Sequence, residues 1–275
     1  SLPTADMFFT LLCLALLYVA SGPLTWKQAL LAGLLYGCAT FTRPVLYFFP
    51  PVLALYWLLR REPWRRVALQ VVVIFALGCA VLAPWQVRNY RVFGQFVLVS
   101  TNGGIHLWMG NNPKASGGYI TDFIPPADQI AMSALNEAQQ DAWAGERGKE
   151  YLKAHPAHAL SLWPRKLVHL FYRDSKSVTY SFRQTFSEVR PGLLAAFILF
   201  SEGVYYALGA AFLMGLLASL RRDGLSARVW LGLGTVLYFT CIHLPFITEG
   251  RYHMPLLPLF AIFAAFPPRA AAATD

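Results

Sequence analysis

Charge is scarce in this sequence. Only 13% of its 275 residues are Asp, Glu, Lys or Arg, about half the share of an average soluble domain. Cysteine is nearly absent: Cys13, Cys38, Cys79 and Cys241 all lie inside apolar runs with no CxxC spacing, which argues for buried thiols and against a disulfide framework or a zinc site. The six histidines, His106, His155, His158, His169, His243 and His253, show no zinc-ligand spacing, and His155-Pro156-Ala157-His158 is a lone pair broken by proline. Gly103-Gly104 and Gly117-Gly118 lack the Lys-Ser/Thr of a phosphate loop. No Ser/His/Asp order, internal repeat or low-complexity linker stands out. The net charge of +9 does not indicate nucleic acid. Much of the arginine adjoins apolar runs, and the basic residues of the central segment are offset by Asp122, Asp128, Glu137, Asp141, Glu146 and Glu150.

What is abundant is apolar surface: 56% hydrophobic and 15% aromatic residues, with a mean hydropathy of +0.45. The composition is that of an integral membrane protein. A spanning helix needs about 20 apolar residues, and seven candidates follow: 7–20, 27–40, 45–59, 67–85, 203–220, 229–247 and 254–266. Arg60-Arg61-Glu62-Pro63-Trp64-Arg65-Arg66 is a short basic loop, and Arg221-Arg222-Asp223 with Arg228 is another. The positive-inside rule places both in the cytoplasm. An even number of spans then separates them, which puts 86–202 outside. Counting onward places Asp6, Arg43 and 248–253 outside, and Lys27 and the Arg269 tail inside. The chain therefore divides into a transmembrane region of four spans (1–85), an extracytoplasmic segment (86–202), and three further spans with a short cytoplasmic tail (203–275). It opens on Ser1 with no basic leader or cleavage signature, so the first apolar run is not a signal peptide, and an N-terminal part is expected to precede it.

Within the outer segment, residues 96–100 (FVLVS) have strand composition. Asn102-Gly103-Gly104 is a turn signal, and 105–109 is expected to be the returning strand. Gly110-Asn111-Asn112-Pro113 and Gly117-Gly118 predict further turns. Residues 126–153 read as a helix, and 157–172 as an amphipathic helix lying on the membrane surface. Glu202 interrupts a long apolar run. It is expected at the outer rim, since a carboxylate in the bilayer is costly.

The charge count gathers Asp6, Arg43, Arg88, Arg91, Glu202, Glu249, Arg251 and His253 at one membrane face. The arginine fork suits phosphate or carboxylate. Two or three at one depth, flanked by Tyr and Trp, fit an anionic lipid headgroup, although the same residue types also serve as interfacial anchors.

Three stretches carry a resemblance. PWQVRNYRVFG (84–94), continued by Ser100-Thr101-Asn102-Gly103-Gly104 and Gly110-Asn111-Asn112-Pro113, resembles an outer loop of bacterial polytopic glycosyltransferases. These are relatives of the dolichyl-phosphate-mannose protein mannosyltransferases and of the lipid A aminoarabinose transferase. Thr42-Arg43-Pro44 is similar to that family's T-R-P element, and EGRYHMPLLP (249–258) to its E-x-R-Y-x-x-P-x-x-P element. The resemblance covers essentially the whole chain. It implies an all-α membrane protein forming the C-terminal part of a GT-C fold, with a mixed α/β extracytoplasmic segment between the fourth and fifth of about seven transmembrane helices. It further implies transfer of a sugar from a polyprenyl-phosphate donor at the outer face of the bacterial inner membrane to an envelope lipid, glycan or protein.

By the same resemblance the catalytic carboxylate lies in an outer loop after the first span, outside this chain, with Asp6 a candidate for an auxiliary role. Arg43, Arg251 and Arg88, with Glu249, Tyr252 and His253, become the expected lipid-phosphate site. Asn102, Asn111 and Asn112 become expected contacts for sugar or acceptor, with turn formation the competing role. No metal ligand is assigned, and a divalent cation is compatible with the chemistry as cofactor. Two readings from other classes stand beside the enzyme: a transporter or flippase of lipid-linked sugars, and a non-catalytic glycan-binding scaffold. Charges gathered at one face rather than at the midplane favour an interfacial enzyme over a transporter.

Overall fold

The computed structural model describes residues 3–173, 175, 179, 182 and 190–265. Among the described residues the chain is all-helical. Four helices come first: α1 (Pro3–Ser21), α2 (Trp26–Thr42), α3 (Pro50–Leu59) and α4 (Trp64–Phe93). A lobe of five follows: α5 (Gly103–Met109), α6 (Pro126–Ser133), α7 (Glu137–Ala154), α8 (Pro156–Ser161) and α9 (Trp163–Phe171). The chain closes with α10 (Pro191–Asp223), α11 (Ala227–His243) and α12 (Leu257–Ala264), and 3-10 segments occupy Pro44–Leu46 and Gly250–Leu256. The expected tail around Arg269 lies outside the described residues.

The described part of each of the seven apolar stretches is mostly helical, although 229–247 leaves its helix after His243. Two helices, α4 and α10, are long and apolar enough to cross a membrane. The others are shorter: α1, α2 and α11 have 19, 17 and 17 residues, and α3 and α12 only 10 and 8. At 1.5 Å per residue, α3 and α12 reach about 15 Å and 12 Å, well under the roughly 30 Å hydrocarbon core. The stretch 45–59 is not one helix because of Pro50 and Pro51. Lacking backbone donors, they start a new helix rather than continue the Pro44–Leu46 turn. In α4 and α10 only 28% of the apolar window is buried. Leu69, Val72 and Phe75 of α4, and Leu199, Phe200, Leu213, Met214 and Leu217 of α10, face outward. Apolar surface that continuous calls for an apolar surrounding.

The helices alternate in direction. Trp57 Nε1 donates to Ala20 O at 3.1 Å, and Arg60 donates to the carbonyls of Ser21 and Gly22, so the C-terminal ends of α1 and α3 meet. Gln70 of α4 reaches Leu24 O at 3.2 Å at the same end. At the other end Arg43, capping α2, is paired with Asp6 of α1. Trp230 Nε1 donates to Val52 O at 3.2 Å and the Tyr238 hydroxyl donates to Val45 O, which lays α11 antiparallel to α3. α2 and α4 approach most closely through glycine. A Cβ on Gly37 would lie 2.8 Å from Val81 Cβ and 3.1 Å from Gly78 Cα. Gly33 and Gly37, four apart on α2, form the small-residue stripe that lets two helix backbones touch. Phe9, Leu16, Tyr36, Phe49, Leu53, Ile74, Phe239 and Leu256 fill the core between the helices.

The outer segment departs from the mixed α/β expectation, for there is no strand among the described residues. Residues 96–100 are irregular and fold back on α4, where Trp85 Nε1 donates to Val99 O at 2.8 Å. The expected returning strand is α5. One of its free N-terminal donors, Ile105 N–H, is accepted by Asp141 Oδ1 of α7 at 3.0 Å, and Gly104 sits so close to Asp141 O that no side chain fits. A partner remote in sequence thus converts a turn signal into a helix start. The expected helix 126–153 is divided at Asn136, which caps α7 with a reciprocal Asn136–Gln139 capping box. The helix expected at 157–172 is likewise two short pieces, and α9 turns Lys166 and Leu170 into the protein while Trp163, Leu167 and Val168 stay exposed on its other face. A second core of Trp108, Met109, Phe123, Met132, Ala144 and Ile247 joins this lobe to the chain beyond α11. Glu202 lies within the continuous α10 and accepts from Ser175 N–H at 3.1 Å.

Candidate functional site

The site is assembled around the 3-10 segment Gly250–Leu256, which packs against α1, α9, α11 and α12. Gly250 is required there: a Cβ would collide with Arg173 O. The segment begins at Glu249, whose carboxylate holds Arg251 Nε at 2.9 Å. The start of α1 and the end of α2 contribute the second pair, Asp6 and Arg43. Electrostatic coupling runs between the pairs: Asp6 acts on Arg251, and Arg43 acts on Tyr252. Elements from both ends of the chain therefore converge on one patch.

The two pairs share an asymmetry. The carboxylates are sunk, with Asp6 9% and Glu249 10% exposed, whereas the guanidinium side chains remain 27% and 35% exposed. Each carboxylate pairs with an arginine whose side chain stays the more exposed of the two. The Arg251 guanidinium lies 5.5 Å from the centre of the Tyr252 ring, and Tyr252 stacks on His243 at 4.8 Å. His243 Nδ1 donates to Phe239 O at 2.6 Å, so the stack is anchored on the last turn of α11. Burial pushes the Tyr252 hydroxyl above its ordinary range, keeping it a neutral donor.

His106 of α5 joins this patch. It lies in the field of Arg251, Asp141, Glu249 and Arg43, and burial, followed by the Arg251 charge, holds it below the ordinary histidine range. It is therefore a neutral imidazole at pH 7, able to accept or donate one hydrogen bond. Sequence reasoning weighed His106 only as a metal ligand and passed over it. Its one local signal is its place just after Gly103-Gly104, and the interaction that seats α5, with Asp141, has none. Asp141 itself is raised by burial, an effect opposed by the N–H groups of Ile105 and Gly104.

Of the residues expected to bind lipid phosphate, Arg43, Glu249, Arg251 and Tyr252 come together, with Asp6 alongside. Arg88 does not join them: it stacks on Trp85 at 4.8 Å and donates to Asn89 Oδ1 at 3.1 Å. His253 is a packing residue. It is fully buried, donates from Nδ1 to Leu170 O at 2.6 Å, and stacks on Tyr205 at 4.7 Å. Asn111 and Asn112 are also interior. Asn111 Nδ2 donates to Leu107 O at 2.7 Å and Pro245 O at 2.6 Å, and Asn112 Nδ2 to Trp108 O and Met109 O at 2.9 and 3.0 Å. Their amides satisfy carbonyls at the end of α5 and tie it to the chain after α11. Gly110 fits flush against the backbone of Phe246 and Ile247. Asn102 is exposed at the start of α5, where its carbonyl accepts from His106 N–H at 3.0 Å.

Lys166 completes this interior network. Fully buried, it donates to Leu244 O at 2.8 Å and reaches Asn111 Oδ1 at 3.5 Å, and burial lowers its ammonium to about 8. Among the described residues no group of three or more His, Cys, Asp or Glu could hold a metal ion. Comparison with protein-family models, curated proteins and solved structures finds no match.

Proposed function

We propose that this chain, with about seven spans, acts as a multi-pass bacterial inner-membrane glycosyltransferase. In this reading it moves a sugar from a polyprenyl-phosphate donor to an envelope acceptor at the extracytoplasmic face. One observation carries the proposal. Arg43 and Arg251, each paired with a largely buried carboxylate, lie within electrostatic reach of one another's partners at the end of the helices opposite the basic loops. Such a pair is preorganised for a phosphate, since its geometry is set before the ligand arrives. The donor phosphate docks on the two guanidinium heads. As the bond from the anomeric carbon to the phosphate oxygen breaks, the growing negative charge is met by donors already in place. In a partly dry site this stabilisation is worth several kcal/mol. Tyr252 and neutral His106 flank the arginines as hydrogen-bonding groups for donor or acceptor hydroxyls. The general base is not assigned to any residue of this chain.

The test is transfer from labelled polyprenyl-phosphate sugars by the full-length protein in membranes. Label appearing in an acceptor supports the enzyme. Transbilayer movement of the donor without transfer would replace it by the flippase.

A further inference from the structure

A polar cavity lies at the opposite end of the helices. It encloses about 550 Å³ between the last turn of α1, the end of α3 and the α10–α11 loop, with Tyr56, Arg60, Ser226 and Arg228 among its walls. That volume is in the range of small-ligand sites. Arg60 is fixed there: Nη1 donates to Gly22 O, to Ser21 O at 3.1 Å and to the Tyr56 hydroxyl at 3.3 Å. All these bonds use Nη1, and among the described residues no hydrogen-bond partner is seen for Nη2 or Nε. Arg228 is exposed on the facing wall. The carboxylate of Asp223 also borders the cavity, but Arg222 engages both of its oxygens, at 3.0 and 2.8 Å. The balance inside is cationic.

The surroundings are those of a membrane interface. Tyr18, Trp26 and Trp64 are exposed at this end, as are Leu58, Leu59 and Leu225. Aromatic rings at this depth mark the headgroup level, and leucines beside a cationic cavity give acyl chains a surface to lie on. We propose that the cavity holds the headgroup of an anionic phospholipid of the cytoplasmic leaflet, with Arg60 and Arg228 taking its phosphodiester and Ser226 a headgroup hydroxyl. Basic recesses between helices on that side are suited to such lipids. The assignment to the cytoplasmic leaflet rests on the proposed topology.

The experiment is native mass spectrometry of the full-length protein equilibrated with equal phosphatidylglycerol and phosphatidylcholine. Wild type retains phosphatidylglycerol preferentially. Arg228→Gln, which removes an exposed side chain, lowers that preference roughly fivefold, as does Arg60→Lys, which keeps a charge but loses the fork. Arg165→Gln on the outer lobe leaves it unchanged. Unaltered preference in both cavity variants would overturn the proposal, and so would an equal loss in Arg165→Gln. Displacement of the lipid by millimolar inorganic phosphate would also overturn it, by assigning the cavity to a soluble anion. Topology is read separately, by impermeant thiol labelling of Leu225→Cys in a background lacking the native cysteines. Labelling from outside would contradict the topology without touching the lipid result.

Discussion

Arg43 and Arg251 differ from Arg88 in what lies behind them. Each has a carboxylate sunk in the protein, whereas Arg88 rests on an indole. The charge count places all three at one face but cannot rank them, because the ranking depends on contacts between residues remote in sequence. The same limit explains Asn111, Asn112 and His253. A polar residue in a Gly-rich or Arg-rich stretch looks available for ligand, and only the fold shows that backbone carbonyls have claimed it. Asn111→Ala, by orphaning the carbonyls of Leu107 and Pro245, is expected to cost about 1–3 kcal/mol of stability while leaving donor KM unchanged. Thermal unfolding and transfer kinetics together check this, and a large KM effect at full stability would return Asn111 to the site.

Lys166 yields a pH prediction. Its native value of about 8 lies below the ordinary 10.5. Between those values the unfolded chain holds a proton that the native chain has released, so stability rises with pH through that window. Below about pH 8 both states are charged, and the native state bears the full burial penalty. Thermal stability in detergent is expected to climb from pH 8 toward 10 in the wild type more steeply than in Lys166→Met. Equal slopes would show that Lys166 does not carry the effect.

Among the elements, the apolar helices were legible and the outer lobe was not. Apolar length and flanking arginine identify α4 and the later part of α10, which the structure extends back to Pro191. The FVLVS stretch failed as a strand because nothing offers it an edge to pair with, and Trp85 claims its carbonyl instead. α5 failed as a strand because Asp141 supplies the helix cap. Proline did speak locally, in dividing the 45–59 stretch, and the prediction of one helix there gave it too little weight. The α2–α4 contact rests on the glycines, which the sequence displays as Gly33 and Gly37. Gly37→Val pushes methyls into Val81 and Gly78, an overpacking expected to destabilise by about 1–3 kcal/mol. Gly209→Ala meets nothing within 4 Å and is expected not to lower the unfolding temperature. Equal behaviour of the two would contradict the close-packed α2–α4 interface.

Across the whole molecule, two arginine-bearing ends are separated by apolar helices, and their charges are held in different ways. At the end with Arg60 and Arg228 the loop arginines are mostly exposed, as the proposed topology expects of cytoplasmic loops. The end with Arg43 and Arg251 is neutral in sum, its charges matched by Asp6 and Glu249 and fixed in place. This contrast suggests a function for the second end, because orientation alone needs no buried carboxylates. The central claim is that both arginines act on one phosphate. It is tested most directly by transfer rates of Arg43→Ala, Arg251→Ala and the double variant in the full-length protein. Each single change is expected to lower kcat by about 100-fold or more, and the double variant to fall well short of the product of the two, since groups serving one charge act as a unit. Wild-type rates in either single variant would contradict the account.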